Sequence, residues 1–396
     1  MADAREVWIT GIGIVSSLGE GIEAHWEGLA KPSSADTAAF APYVVHRAVP
    51  VDFDKQIPKK GDQRQMEAWQ RYGVYAAGLA LENAGMKGNA ELLAQTDMIV
   101  AAGGGERDGK VDISVLAGLR TANDRGAYLN QRLMSDLRPT LFLAQLANLM
   151  AGNISIVHGV TGSSRTFMGE EPAGVDALRI GLARITAGQS QIALVGGAYN
   201  AERFEVILYY VLAKCLTHDH HTRVWERAPI GGGMELGTIA AFLVLEEKQH
   251  ALKRGARPFA RLTSIESDQV KRTPGAITTT LQRMWAGIAQ RVKPENAAVL
   301  SGATGVEPVT AEERAFLTQH SGLAVRATGT HLGHGLEPQF PANVALAAMA
   351  LRHGRLFPPA DESGVEQPMD APLRQVVVTS IGHRRGEGLA LVEAVD

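Results

Sequence analysis

Short β-branched apolar runs alternate along this chain with longer stretches in which apolar residues recur every three or four positions. The first pattern suits buried strands and the second suits amphipathic helices, so the alternation predicts an α/β layered fold. Strands are expected at 7–12, 97–101, 191–195 and 239–245, then at 259–265, 297–300, 375–380 and 389–392. Helices are expected at 64–85, 141–150, 173–187, 278–291, 311–319 and 341–353. Gly85, Gly188 and Gly354 fall where three of these should stop, because glycine adopts the left-handed cap conformation without a side-chain clash.

Residues 246–257 carry Glu246, Glu247, Lys248, Lys253 and Arg254 between two strands, and read as a solvent-facing helix joining two halves, 1–247 and 248–396. Each half closes with a helix and then a strand that is apolar almost throughout, a faint internal duplication rather than a short-period repeat. Residues 103–138 are rich in Gly, Arg, Asp and Asn with little periodicity, and read as an irregular surface insertion or subunit-contact loop.

Length and composition narrow the class. At 396 residues, two domain-sized halves are the natural expectation, and 45% hydrophobic with 20% charged residues is ordinary for a globular soluble protein. A net charge of −3 without any long Lys/Arg run argues against a nucleic-acid partner or an anionic-membrane footprint. The single cysteine, Cys215, leaves no disulfide framework and no Cys-based metal site. The opening residues lack a signal-peptide pattern, and no window reaches the roughly eighteen apolar residues needed to span a bilayer, so a cytoplasmic protein with no membrane insertion is expected.

Candidate chemistry is sparse. Residues 7–13 form a strand running into a glycine turn, but a third dinucleotide-fingerprint glycine would fall on Ser16 and the helix begins too late, so no cofactor is expected. His218-Asp219-His220-His221 has the residue types of a metal cluster. Neighbouring histidines cannot all converge on one ion without a special bend, and no distant carboxylate or Cys is indicated, so this run reads as a polar surface loop and no metal is expected. Cys215, after Leu212 and Ala213, reads as buried and inert.

Residues 155–174 are more informative: a turn, a short extended run, then a helix with Val175, Leu178, Leu182 and Ile185 on one face. A side chain at that strand-to-helix turn would face the positive end of the helix dipole, which favours an anion. Glu170-Glu171-Pro172 is also an ordinary helix start needing no function. His334, in Gly333-His334-Gly335-Leu336 ahead of a helix near Pro341, could act as a general acid or hydrogen-bond donor, or be structural. His331 and His383 carry no more signal than that.

Together these motifs resemble the elongating β-ketoacyl-acyl-carrier-protein synthases. The resemblance runs through residues 7–13, through 63–67 with Tyr72-Gly73 and Asn83-Ala84-Gly85, through 155–174 with Gly196-Gly197-Ala198, and through 243–247 with Lys253-Arg254-Gly255-Ala256. It implies a thiolase-type five-layered α/β/α/β/α fold of two similar halves, dimeric through the strand beside the nucleophile. It also implies a degenerate site. The position of the family's nucleophilic cysteine falls on Glu171, its first histidine on Ala303, its second on His334, and its lysine on Gly329. The glycine-rich gating loop becomes Ile381-Gly382-His383-Arg384-Arg385-Gly386, and the charged motif near 225–233 is reduced to Gly231-Gly232-Gly233.

The resemblance then narrows to the chain-length-factor type, a non-condensing subunit that pairs with an active ketosynthase. The pathways it implies are fatty acid (including very-long-chain), polyketide or aryl polyene synthesis. A heterodimer with that ketosynthase or a homodimer is implied, with acyl carrier protein as the other partner. Glu171 is expected to be a stable anion paired with Arg165 or Arg384. The alternatives are a malonyl-carrier-protein decarboxylase and a residual synthase, an acyltransferase acting through another nucleophile such as Cys215.

Overall fold

The computed structural model describes residues 5–136 and 143–395. Apart from three two-residue strands (Gly19–Glu20, Val45–His46 and Leu236–Gly237), the first half contributes β1 (Val7–Ser16), β2 (Asp97–Ala102), β3 (Ser164–Met168), β4 (Ile192–Tyr199) and β5 (Ile239–Glu247). Five more follow: β6 (Ala260–Asp268), β7 (Ala297–Ser301), β8 (Ala324–Ala327), β9 (Gln375–Ile381) and β10 (Glu387–Glu393). They lie side by side in the order β8-β7-β9-β10-β6-β1-β5-β4-β2-β3. In each half the first strand pairs antiparallel with the fifth and the fifth antiparallel with the fourth. The fourth then pairs parallel with the second, and the second parallel with the third. Order and direction therefore repeat strand for strand. The two sets of strands are hydrogen-bonded to each other where Trp8 and Ile9 of β1 meet Arg261 and Ala260 of β6.

Four helices complete the layers: α1 (Ala68–Asn83), α2 (Glu171–Thr186), α3 (Ala276–Ile288) and α4 (Gln339–His353). Helices α2 and α4 lie between the two sheets and touch each other, whereas α1 packs on β1 and β5, and α3 on β10. Every residue of α4 from Gln339 to Leu351 is buried. A helix apolar all round belongs in an interior, and each large side chain such as Phe340, Leu346 or Met349 contributes about 1.5–3 kcal/mol by burial. Among the described residues no helix is long and apolar enough to cross a membrane.

All eight expected strands are present, and the extended run within 155–174 is β3. Strand β8 carried no expectation, since its four residues include Arg326, whose buried guanidinium donates to the Phe357 and Gln367 carbonyls. The expected helix at 141–150 begins in part outside the described residues, and the observed helix is Leu149–His158, where a turn had been expected from 155. Its left-handed cap is Gly159. The described part of 103–138, up to residue 136, is not irregular: helices Gly109–Thr121 and Arg125–Ser135 form there, each started by an aspartate N-cap, with no buried residue in either. The joining segment is also less exposed than expected. Glu246 is buried, bound by Arg254 and His250, and the short helix Lys248–Lys253 buries Ala251.

Candidate functional site

Strand β3 is the edge of its sheet, and the chain leaves it through Gly169 (φ 150°) directly into α2. Glu170 is the N-cap and Pro172 lies in the first turn, where its missing N–H costs nothing. That places Glu171 at the head of α2, 2% exposed. Helix α2 approaches the turn before α4 so closely that a Cβ on Gly174 would stand 2.2 Å from the Glu337 carbonyl oxygen. The heads of both central helices thus meet at one place.

Two histidines reach Glu171 from other segments. His334 lies on the turn after the short helix Gly329–Leu332, and its Nε2 is 2.8 Å from Glu171 Oε1. His383 follows β9, and its Nδ1 lies 2.9 Å from the same oxygen. The His383 backbone N–H donates to that oxygen too, at 3.2 Å. Glu171 Oε2 is buried without a hydrogen-bond partner. Burial alone would raise the Glu171 carboxyl, but the hydrogen bonds and charges of His334 and His383 outweigh it and hold the group far below the usual carboxylate range. Burial lowers His383, yet the bond to Glu171 and the charges of Glu171 and Glu170 carry it above the ordinary histidine value.

The expected partners of Glu171 are therefore corrected. Arg165 and Arg384 do not bind it; Arg384 lies over the Tyr209 ring and donates to its hydroxyl. His383, which the sequence left without a role, takes their place. The loop bearing it is closed: Gly382 N–H donates to the Gly386 carbonyl, and Arg272 holds the Gly382 carbonyl at 2.5 Å. Arg384 and Arg385 point outward.

Ala303 is buried in an apolar cluster with Val224 and Trp225, just after β7. Its carbonyl stands 3.1 Å from where a Gly329 side chain would begin, so the fold brings these two positions together. Cys215 is half-buried and donates to the Ala213 carbonyl. Burial, and then the charges of Glu170 and Glu171 against Arg384, push its thiol up, the opposite of an activated nucleophile.

A cavity of about 650 Å³ opens beside the site, bordered by Met168, Glu170, Tyr199, Tyr209, Tyr210 and Glu337. Tyr210 donates to Glu170 Oε1 at 3.3 Å and lies edge-on to the His383 ring. Burial, with the nearby charges of Glu171 and Glu170, pushes Glu337 up to about 8, so this carboxyl is largely neutral at pH 7. Two groups of described residues have the donor types for a metal ion: Glu170, Glu171 and His383 here, and His46, His221 and Glu235 elsewhere. In the first, His383 Nδ1 and Glu171 Oε1 are already in hydrogen-bond contact with each other at 2.9 Å.

Two five-stranded units of identical strand order, with paired helices between them and a helix-head site where those helices meet, define the thiolase-type α/β/α/β/α class. Over residues 4–251 the chain matches the family described as Beta-ketoacyl synthase, N-terminal domain, and it belongs to the β-ketoacyl synthase family. It is similar to 3-oxoacyl-[acyl-carrier-protein] synthase 2 of Vibrio cholerae, 26% identical over 273 residues, which is 66% of this chain and 62% of that protein. The protein of the same description from Rhizobium meliloti is 25% identical over 403 residues, covering 92% of this chain and 91% of the other. Among solved structures, the ishigamide ketosynthase/chain length factor superposes with a TM-score of 0.81 at 21% identity, over 99% of this chain and 100% of that one.

Proposed function

We propose that this chain is a ketosynthase-like subunit that does not condense, a chain-length-factor-type partner of an active, cysteine-bearing β-ketoacyl-acyl-carrier-protein synthase. The observation that carries this reading is Glu171, a buried carboxylate at the head of α2 with one oxygen occupied by three donors. A carboxylate cannot form the thioester that condensation requires, and this one is neutralised in place. The side chain is a plug where the resemblance expects a nucleophile. His334 then serves as a ligand of that plug, and Ala303 offers no second imidazole.

Support for pairing comes from the surface beside the cavity. Met168 at the end of edge strand β3, and Phe204, Leu208 and Leu212 on helix Phe204–Leu212, are each more than half exposed. Apolar side chains grouped near a cavity mouth suit a protein interface. In this reading the partner covers that face, acyl carrier protein delivers the chain to the partner, and the cavity helps set product length. The pathway is fatty acid (including very-long-chain) or polyketide or aryl polyene synthesis, in the cytoplasm. The repeated strand order supports reading 1–247 and 248–396 as the two ketosynthase halves.

The test is co-expression with a cysteine-bearing ketosynthase encoded beside it, scoring complex formation by size exclusion and product length by mass spectrometry. The chain alone should form a stable protein without condensing activity, and the pair should make product of defined length. Condensation by the chain alone, or a homodimer that ignores every ketosynthase, would overturn the reading. CO2 release from malonyl-carrier protein by the chain alone, lost in His334→Ala, would replace it with a decarboxylase.

A further inference from the structure

The histidine run at 218–221 lacked, in the sequence, a distant carboxylate to complete a metal site. The fold supplies one. His218 and Asp219 are exposed and pair with each other, but His221 turns inward. There its Nδ1 lies 2.7 Å from Glu235 Oε2, and His46 Nε2 lies 2.8 Å from the same oxygen. The three ligand atoms all stand within 4.8 Å of one another. His46 and Glu235 are fully buried.

The outer nitrogens of the two rings decide what these contacts mean. His46 Nδ1 faces the His331 carbonyl oxygen at 3.1 Å, an atom that can only accept. A neutral imidazole has one N–H, so a ring that donates outward to the carbonyl aims a lone pair at the carboxylate. His221 Nε2 lies 2.8 Å from the Ser33 hydroxyl, which can accept its N–H and leave Nδ1 as a second inward lone pair. With those tautomers two inward lone pairs and a carboxylate oxygen converge on one point, which is the donor set of a divalent cation. An outer carbonyl or hydroxyl holding each imidazole N–H is the usual support of a metal-bound histidine.

We propose that His46, His221 and Glu235 form a divalent-cation site of the imidazole–carboxylate type that suits zinc. Tetrahedral bonds of about 2.0–2.1 Å place ligand atoms roughly 3.3 Å apart, so binding widens the present contacts by about half an ångström. His221 and His331 line a cavity of about 620 Å³, which gives water a route to a fourth position. His331, whose carbonyl faces His46 Nδ1, is 3% exposed with neither ring nitrogen hydrogen-bonded, and water completes the ligand set. Arg227 Nη2 lies 3.2 Å from Glu235 Oε2, while its Nε and Nη1 are fixed on the Thr222 and Thr304 carbonyls. It remains beside a bound cation as a neighbouring charge that limits affinity.

The experiment uses the full chain stripped with chelator and titrated with Co2+ or Zn2+ alone. One Co2+ per chain should bind with the visible absorption of a tetrahedral site, displaced by Zn2+, and Zn2+ should raise the melting temperature in a chelator-reversible way. His221→Ala should weaken binding at least ten-fold. It should melt close to the metal-free parent, because its ring lies at the margin of the cluster. His218→Ala/His220→Ala should bind as the parent does. Equal binding by the parent and His221→Ala, loss of binding only in the surface pair, or no stoichiometric binding at all would each overturn the proposal.

Discussion

At the scale of single residues, the account turns on why Glu171 is ionised in a dry place. Its charge is sustained by His334 and His383, and Glu171 in turn raises His383 above the ordinary histidine value against the effect of burial. The sign of the pH dependence follows. The depressed carboxyl contributes stability that is present above about pH 4.3 and lost as pH falls toward its folded value. The raised histidine contributes stability that is full below about pH 6.5 and lost as pH rises through its folded value. Between those limits Glu171→Gln should cost about 2–3 kcal/mol, since one charge of a buried pair is removed while a neutral acceptor remains. The deficit should shrink at pH 9. Urea denaturation of both proteins at pH 5.5 and 9 measures it, and a deficit independent of pH would contradict the pairing. Glu171→Cys, lacking a histidine at Ala303, should gain no condensing activity in a product assay by mass spectrometry. Glu171 and His334 lie inside motifs that the sequence singles out, and the fold brings those two together. His383 was not legible in the sequence, because it reaches Glu171 only through a closed turn more than two hundred positions away.

At the scale of elements, the site depends on how closely α2 and the turn before α4 approach. Gly174 is required there, since any Cβ would collide with the Glu337 carbonyl. Gly174→Ala should therefore destabilise the protein by about 1–3 kcal/mol, the cost of overpacking a tight interior, although alanine is the better helix former. A denaturation midpoint unchanged within error would contradict this contact. Strong periodic signals made α2, α4 and eight strands readable in advance. Elements that bury little escaped: the helices over 109–121 and 125–135 have no buried residue and so leave no apolar stripe anchored to a core. Strand β8 escaped for the opposite reason, as its buried arginine reads as a surface residue.

At the scale of the whole molecule, the faint duplication in the sequence becomes an exact repeat of strand order and direction in the fold. The two halves place their central helices head to head, and the Glu171 site lies where those heads meet. What the sequence could not carry is the company the protein keeps, since an interface appears only as apolar side chains left uncovered. Leu208→Asp should abolish pairing with a ketosynthase while leaving the isolated chain's melting temperature within about 2 °C, because a surface substitution rarely moves stability by more than about 0.5 kcal/mol. Size exclusion of the co-expressed pair reads this, and pairing undiminished by the substitution would move the interface elsewhere. The central claim is that this chain holds no acyl group while its partner does. Intact-protein mass spectrometry of the co-purified pair after incubation with acyl-carrier protein tests that directly. The account predicts an acyl adduct on the cysteine-bearing partner and an unmodified mass for this chain; a stoichiometric acyl adduct on this chain would contradict it.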